Sequence, residues 1–332
     1  MLNTRENLNR LLRGEVPEYI PDYDIFWGIM GQPNIRFKVD NHDGTGVDWF
    51  GVEWVAGDNP TGAALPKPND FVLKDITKWR DVIKCPDFSD FDWAAAAAGF
   101  RANWPDFLPV AGSVSPSVGF FQALMSFMGF DEGLCAIMEE PEEVKAMLNY
   151  LCDWAVDMTK KYIYYFKPDY GWWGDDIAHE RNPFISLPVF QDVFVPVWAR
   201  FCSVFVEADI PIVHHNCGHF ELFLDDLVAM GVNAWEPCQI SNDLPAIKAK
   251  FGNKLALIEA YDTRDFRYNY EDVSEEQVRT EFREHVLKMA AGGGYGLFAG
   301  DPNMNGAATP VEKQRMAWCN DEFEKIRYDV YK

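Results

Sequence analysis

From about residue 107 onward, short apolar runs alternate with longer segments in which apolar residues recur every three or four positions. The short runs predict strands over 107–113, 169–175, 210–217, 232–238, 254–261 and 294–299. The longer segments predict helices over about 117–128, 131–139, 141–166, 188–208, 219–230 and 244–251. Two more helices are predicted, one ending at Ala291 and one closing the chain. Local chemistry agrees: Pro141 suits a first helical turn, and Ser274-Glu-Glu-Gln277 and Thr309-Pro-Val-Glu312 read as capping boxes.

The first hundred residues are less regular. Thr4 is expected to cap a short helix to Arg13, with Leu8, Leu11 and Leu12 as its apolar stripe and Gly14 as its stop. Residues 19–26 read as a strand, 44–57 as a glycine-containing hairpin, and 77–84 and 89–103 as helices. Strands alternating with helices through short connections indicate parallel βαβ units, and no linker interrupts them. The prediction is an α/β chain forming one (β/α)8 TIM barrel over 1–332. Residues 1–105 would be an N-terminal helical and hairpin extension with the first barrel unit, and 106–332 the remaining barrel. An open doubly wound sheet is the alternative, but the glycine-rich phosphate loop that often follows its first strand is not found.

Charge narrows the partners. Thirty Lys and Arg against 52 Asp and Glu give a net −22, which disfavours nucleic acid and anionic membrane surfaces. No apolar run reaches the roughly 18 to 20 residues that span a bilayer. The opening Met-Leu-Asn-Thr-Arg-Glu has no apolar stretch of the signal-peptide kind. Seven scattered cysteines, an odd number, read as free thiols in a reducing cytoplasm.

Barrel enzymes place their chemistry where strands end at the C-terminal face. The strand ends here carry Trp172-Trp173-Gly174-Asp175-Asp176, His214-His215-Asn216-Cys217, Glu236-Pro237-Cys238-Gln239, Glu259-Ala260-Tyr261-Asp262 and Gly300-Asp301-Pro302. Residues two apart on a strand share a face, so His215 and Cys217 could begin a zinc site, although the same spacing suits a buried polar pair. Glu236 and Cys238 stand at that spacing on the next strand, and either could complete the ligand set. Asp175 and Asp176 point to opposite faces, so at most one faces the mouth, as a base or substrate acceptor; a helix cap is the other use of such an acid. His179, in the loop that follows, could close over the site, and Glu259 could position substrate or shuttle a proton. Asp301 reads as a ligand or as the start of a turn. Trp27, Trp49, Trp54, Trp172 and Trp173, with Tyr261, are candidates to wall a substrate or cofactor pocket, with core packing as the alternative.

Gly174-Asp-Asp176, Ile212-Val-His-His-Asn-Cys-Gly218, Asp225-Asp-Leu-Val-Ala-Met-Gly231, Asn242-Asp-Leu-Pro-Ala-Ile-Lys248, Phe251-Gly-Asn-Lys254 and Gly292-Gly-Gly-Tyr295 occur in that order. With the opening Thr4-Arg-Glu and Leu11-Leu-Arg-Gly14-Glu, they make the chain resemble the uroporphyrinogen decarboxylase superfamily, most strongly over about residues 165–310. The resemblance implies a (β/α)8 barrel and a homodimer. Decarboxylases of the superfamily bind a polycarboxylate with an arginine-containing N-terminal segment. Here Pro21-Asp-Tyr-Asp-Ile-Phe-Trp-Gly28 has two acids and no arginine, which argues against such a substrate.

The chain is more similar to the corrinoid-linked methyltransferase branch, whose zinc is held by His-x-Cys and a more distant third cysteine. His215 and Cys217 match the first two. No cysteine stands near the third place, where the chain reads Phe298-Ala-Gly-Asp301-Pro302; Cys319 falls in the final helix, so Asp301, Glu236 or Cys238 would substitute. The resemblance therefore implies zinc-assisted methyl transfer between a small substrate, such as an aryl methyl ether or a thiol, and a corrinoid on a partner protein. A metal-free decarboxylase or lyase, with Asp176 and His215 as acid and base, is the alternative.

Overall fold

The computed structural model describes residues 1–23, 37–57, 63–117, 119–261, 273–298 and 309–331. The chain opens with helix α1 (Thr4–Leu12). Its cap is Asn3, not Thr4: the Asn3 side chain accepts from the Glu6 amide and the Glu6 side chain bonds back, a reciprocal box one residue earlier than expected. Strands β1 (Phe37–Asp40), β2 (Gly46–Asp48), β3 (Glu53–Val55) and β4 (Leu65–Pro66) follow as an antiparallel meander that contains the predicted hairpin. The buried Asp48 carboxylate organises it, accepting from the amides of Phe50 and Val52 and from the Trp54 indole. Trp54 is buried as part of the large apolar layer that this meander shares with the helices.

Helices α2 (Trp79–Val82), α3 (Trp93–Asn103), α4 (Phe120–Met128), α5 (Phe130–Glu139) and α6 (Pro141–Phe166) precede the main sheet. The sheet is parallel: β5 (Gly171–Gly174), β6 (Ile212–His215), β7 (Ala234–Cys238), β8 (Ala256–Glu259) and β9 (Tyr295–Leu297), paired in sequence order. Helices α7 (Leu187–Glu207), α8 (Leu224–Ala229), α9 (Leu244–Phe251) and α10 (Glu275–Ala290) connect them, and α11 (Pro310–Ile326) closes the order. The predicted strand at 107–113 contributes one bridge, Ala111 to Tyr170, beyond β5; Asp22 bridges Leu297 beyond β9.

Each of these strands is buried on both faces, as parallel strands covered by helices must be. One face supplies an inner cluster of Ala111, Tyr170, Trp172, Val213, Ala234, Ala256, Ile258, Ala260 and Phe298. Tyr23 joins that cluster and hydrogen-bonds Tyr170. Residues from the two edges of the sheet therefore meet in one interior, which is what curling into a barrel produces. The alanines leave room for the larger rings, and Leu8, Leu11 and Leu12 of α1 pack into the same interior. The opposite strand faces meet the helices in a much larger apolar layer.

Helix α7 corrects the expectation that no apolar run could span a membrane. By length and composition Leu187–Glu207 could, but half of its apolar window is buried inside the fold, against α6 and the sheet. A π-helical turn at Phe190–Phe194 interrupts it and seats Phe190 against Trp198 and Phe223.

The start of α4 is tied to the end of β5. Asp175 is wholly buried and accepts from the amides of Phe120, Phe121 and Gln122 at 2.7, 2.8 and 2.8 Å. Gly119 makes this possible, because a Cβ there would lie 2.1 Å from the Gly174 carbonyl oxygen and 2.5 Å from the Asp175 side chain. Burial lifts the Asp175 carboxyl to about 7 although the three amides pull the other way.

Two stability changes test this architecture. Leu11→Ala should cost about 3 kcal/mol by opening a cavity in the barrel interior, seen as a lower denaturant midpoint, whereas the exposed Arg10→Ala should cost less than about 0.5 kcal/mol. Asp175→Ala should cost about 3 kcal/mol because three buried amides lose their acceptor. Asp175→Asn, whose single carbonyl oxygen can still serve two of the amides while its NH2 faces the third, should cost less, about 2 kcal/mol; equal losses in the two Asp175 variants would refute the capping role.

Candidate metal centre

The ends of β5, β6 and β7 bring four side chains together. His215 is the last residue of β6 and faces the barrel interior, and Cys217 lies two residues on. His215 Nε2 is 3.6 Å from Cys217 Sγ and 3.6 Å from Asp176 Oδ1. Asp176, His215 and Cys217 offer one donor atom each, all within 4.8 Å of one another. Zinc bonds of about 2.0 Å to nitrogen and about 2.3 Å to sulfur, at a tetrahedral angle, separate the two donors by about 3.5 Å. The nitrogen, sulfur and carboxylate set therefore matches a cation of zinc's size and preferences. Three protein donors also leave a fourth position for a water or substrate atom.

The donors are held from behind. His215 Nδ1 meets Glu236 Oε2 at 3.0 Å, and Glu236 is completely buried on β7. The other oxygen, Oε1, accepts from the Trp172 indole of β5 at 2.7 Å. Asp176 accepts at Oδ1 from the Cys217 amide at 2.8 Å and at Oδ2 from the Gln122 side chain at 3.2 Å. Gly218 ends the strand segment at φ 86°, where a Cβ would strike the carbonyl oxygens of His179 and Ala178 at 2.7 and 2.8 Å. Asp176 remains about one-third exposed, so the centre opens outward through it.

Electrostatics favour a cation here. Burial opposes charge on His215, but Glu236, Cys217 and Asp176 together raise its pKa well above the usual histidine range. Burial and then Asp176 raise the Cys217 thiol, with His215 pulling it down. The pocket thus draws a proton onto the imidazole and keeps one on sulfur, the two positions a metal ion would take over.

The structure redistributes the sequence-derived candidates. Asp176, His215 and Cys217 converge, and Glu236 stands behind His215 instead of completing the ligand set. Cys238 was expected to share Glu236's face. The register shifts between Trp235 and Cys238, and Cys238 joins the outer layer, bonding the Trp235 carbonyl. Glu259 and Tyr261 also face outward: Ala256, Ile258 and Ala260 take the interior side, so alternation sends their neighbours to the helices. There Glu259 bonds His285 of α10 at 2.8 Å and the Tyr295 hydroxyl at 2.7 Å. Trp173 is outward too, fully buried against Trp198 and His214, while Trp172 faces the site. His179 is exposed in its loop, beside Phe184 and the Arg181 amide, with no described contact to the triad. Trp49 packs on Phe88. Asp301 and Trp27 lie outside the described residues. All seven cysteines are free. Gln122 was not anticipated, because nothing in its local pattern separates it from an ordinary helical glutamine.

Comparison with known proteins agrees with the architecture. The family model described as uroporphyrinogen decarboxylase (URO-D) matches residues 50–297. Among solved structures, a methyltransferase from Methanosarcina mazei is similar, with a TM-score of 0.63 at 13% sequence identity, covering 98% of this chain and 100% of that one. No curated protein matches the sequence. The similarity to that structure supports the (β/α)8 barrel, and the family model spans most of the chain, so the chain belongs to the uroporphyrinogen decarboxylase family.

Proposed function

We propose that this chain is a zinc-dependent methyltransferase, moving a methyl group between a small substrate and a corrinoid carried by a partner protein. The convergence of Asp176, His215 and Cys217 around one point carries the reading. The methyltransferase name of the similar archaeal structure is consistent with it. Zinc bound there would supply Lewis acidity, easing departure of, or attack by, a basic heteroatom.

The chain's own residues prepare that site. Glu236 engages Nδ1 of His215 and leaves Nε2 turned toward Asp176 and Cys217. The Cys217 amide and Gln122 hold the Asp176 carboxylate in place. Trp172, 5.8 Å from the His215 ring, forms an aromatic wall on the interior side. Metal uptake requires Cys217 Sγ and His215 Nε2 to be unprotonated, so both give up protons on loading. A metal-free lyase is the second reading, favoured by one observation: Glu236 helps to hold the His215 ring protonated, as a general acid requires.

Protein purified without chelator should contain about one zinc per chain, with stoichiometry lost in His215→Ala and Cys217→Ser and kept in Cys238→Ser. Metal-free wild type with full, chelator-insensitive turnover would move the assignment to the lyase. Zinc affinity should also fall as pH is lowered, by up to about a hundredfold per unit while both donors are protonated in the free chain. Affinity independent of pH would contradict the His215 and Cys217 pairing.

A further inference from the structure

We propose that Trp172 is a positioning residue that holds the Glu236 carboxylate against His215 Nδ1, so that Nε2 is the nitrogen available to a metal. The inference takes its consequence from the metal reading above, but the hydrogen-bond logic stands without it. An indole N–H only donates, and an ionised carboxylate only accepts. Trp172 Nε1 therefore donates to Glu236 Oε1 at 2.7 Å. The remaining contact, His215 Nδ1 to Glu236 Oε2 at 3.0 Å, then requires a proton on Nδ1. With Nδ1 protonated, the nitrogen that can carry a free lone pair is Nε2, the one facing Asp176 and Cys217. Glu236 has no exposed surface, so solvent cannot supply an alternative partner or let the carboxylate turn. Trp172 is itself anchored, its carbonyl accepting from the Ser113 hydroxyl at 2.6 Å.

This chain of donors gives Glu236→Gln an unusual outcome. A glutamine has one accepting oxygen and one donating nitrogen. The Trp172 N–H claims the oxygen. The amide NH2 then faces His215 Nδ1, which can be satisfied only as an acceptor. The proton moves to Nε2, the nitrogen a metal needs. Turning the amide over restores the Nδ1 proton but sets two donors against each other at Trp172. Removing the indole N–H with Trp172→Phe, which keeps a ring in place, lifts that conflict. The same substitution should therefore harm the natural chain and help the glutamine variant.

The test combines two measurements. Zinc dissociation constants are measured by competition with a chromophoric chelator for the natural chain, Trp172→Phe, Glu236→Gln and the double variant. Trp172→Phe alone should weaken binding about tenfold and Glu236→Gln about a hundredfold, the range of losses on removing a group that orients a ligand. The double variant should bind about tenfold more tightly than Glu236→Gln. Separately, two-bond proton–nitrogen spectra of metal-free Glu236→Gln report the His215 tautomer, the signal being identified among the six histidines by its loss in His215→Ala. The Nε2-protonated form is expected. The proposal is overturned if that spectrum shows the Nδ1-protonated form, or if Trp172→Phe weakens zinc binding by the same factor in both backgrounds. A natural chain that takes up no zinc removes the preceding function, while the nitrogen spectrum still decides this assignment.

Discussion

The alternation of side chains along a strand governs this protein more than any single contact. In the parallel sheet both faces are buried, so every second residue is committed to the barrel interior and its neighbour to the helix layer. On β6 this separates His215 from His214. His215 turns inward to a carboxylate, a thiol and a second carboxylate. His214 turns outward among Trp173, Trp198 and Phe220, and burial drives its pKa well below the histidine norm. Adjacent residues of one type thus become an ionisable ligand candidate and a neutral core ring.

The same rule divides the acids. Asp175 and Asp176 are neighbours, yet one closes a helix start and the other faces the mouth. Glu236 and Glu259, both fully buried, sit on opposite faces of adjacent strands. Glu236 joins β5, β6 and β7 across the interior through Trp172 and His215. Glu259 joins β8 and β9 to α10 through Tyr295 and His285. A buried carboxylate without such partners would be costly, so each is fully engaged, and neither arrangement need add net stability over an apolar one. Their value lies in orientation, and at Glu236 that orientation bears on chemistry.

Much of the architecture was visible along the chain. Most of the strand and helix periods, Pro141 at a helix start and the Thr309–Glu312 box correspond to observed elements, but the 107–113 segment pairs only through Ala111, and Ser274 caps α10 by accepting from the Gln277 amide without the return bond of a box. The His215 and Cys217 pair was visible because two-residue spacing on an extended segment is a local property. Asp176 was visible as an acid at a strand end but not as a third member of that set, since its nearness to Cys217 depends on β5 lying beside β6.

Sequence alone determined the order of elements, the acidic charge and the residue types gathered at one end of the strands, because these follow from composition and local periodicity. Tertiary structure decided which acids look inward. One register shift before Cys238 turns that thiol into the helix layer, and one strand's parity does the same to Glu259 and Tyr261. It also decided that Glu236 backs the imidazole while Asp176 stands in front of it. Those roles depend on distances between strands separated by whole helices, and no local pattern encodes such distances.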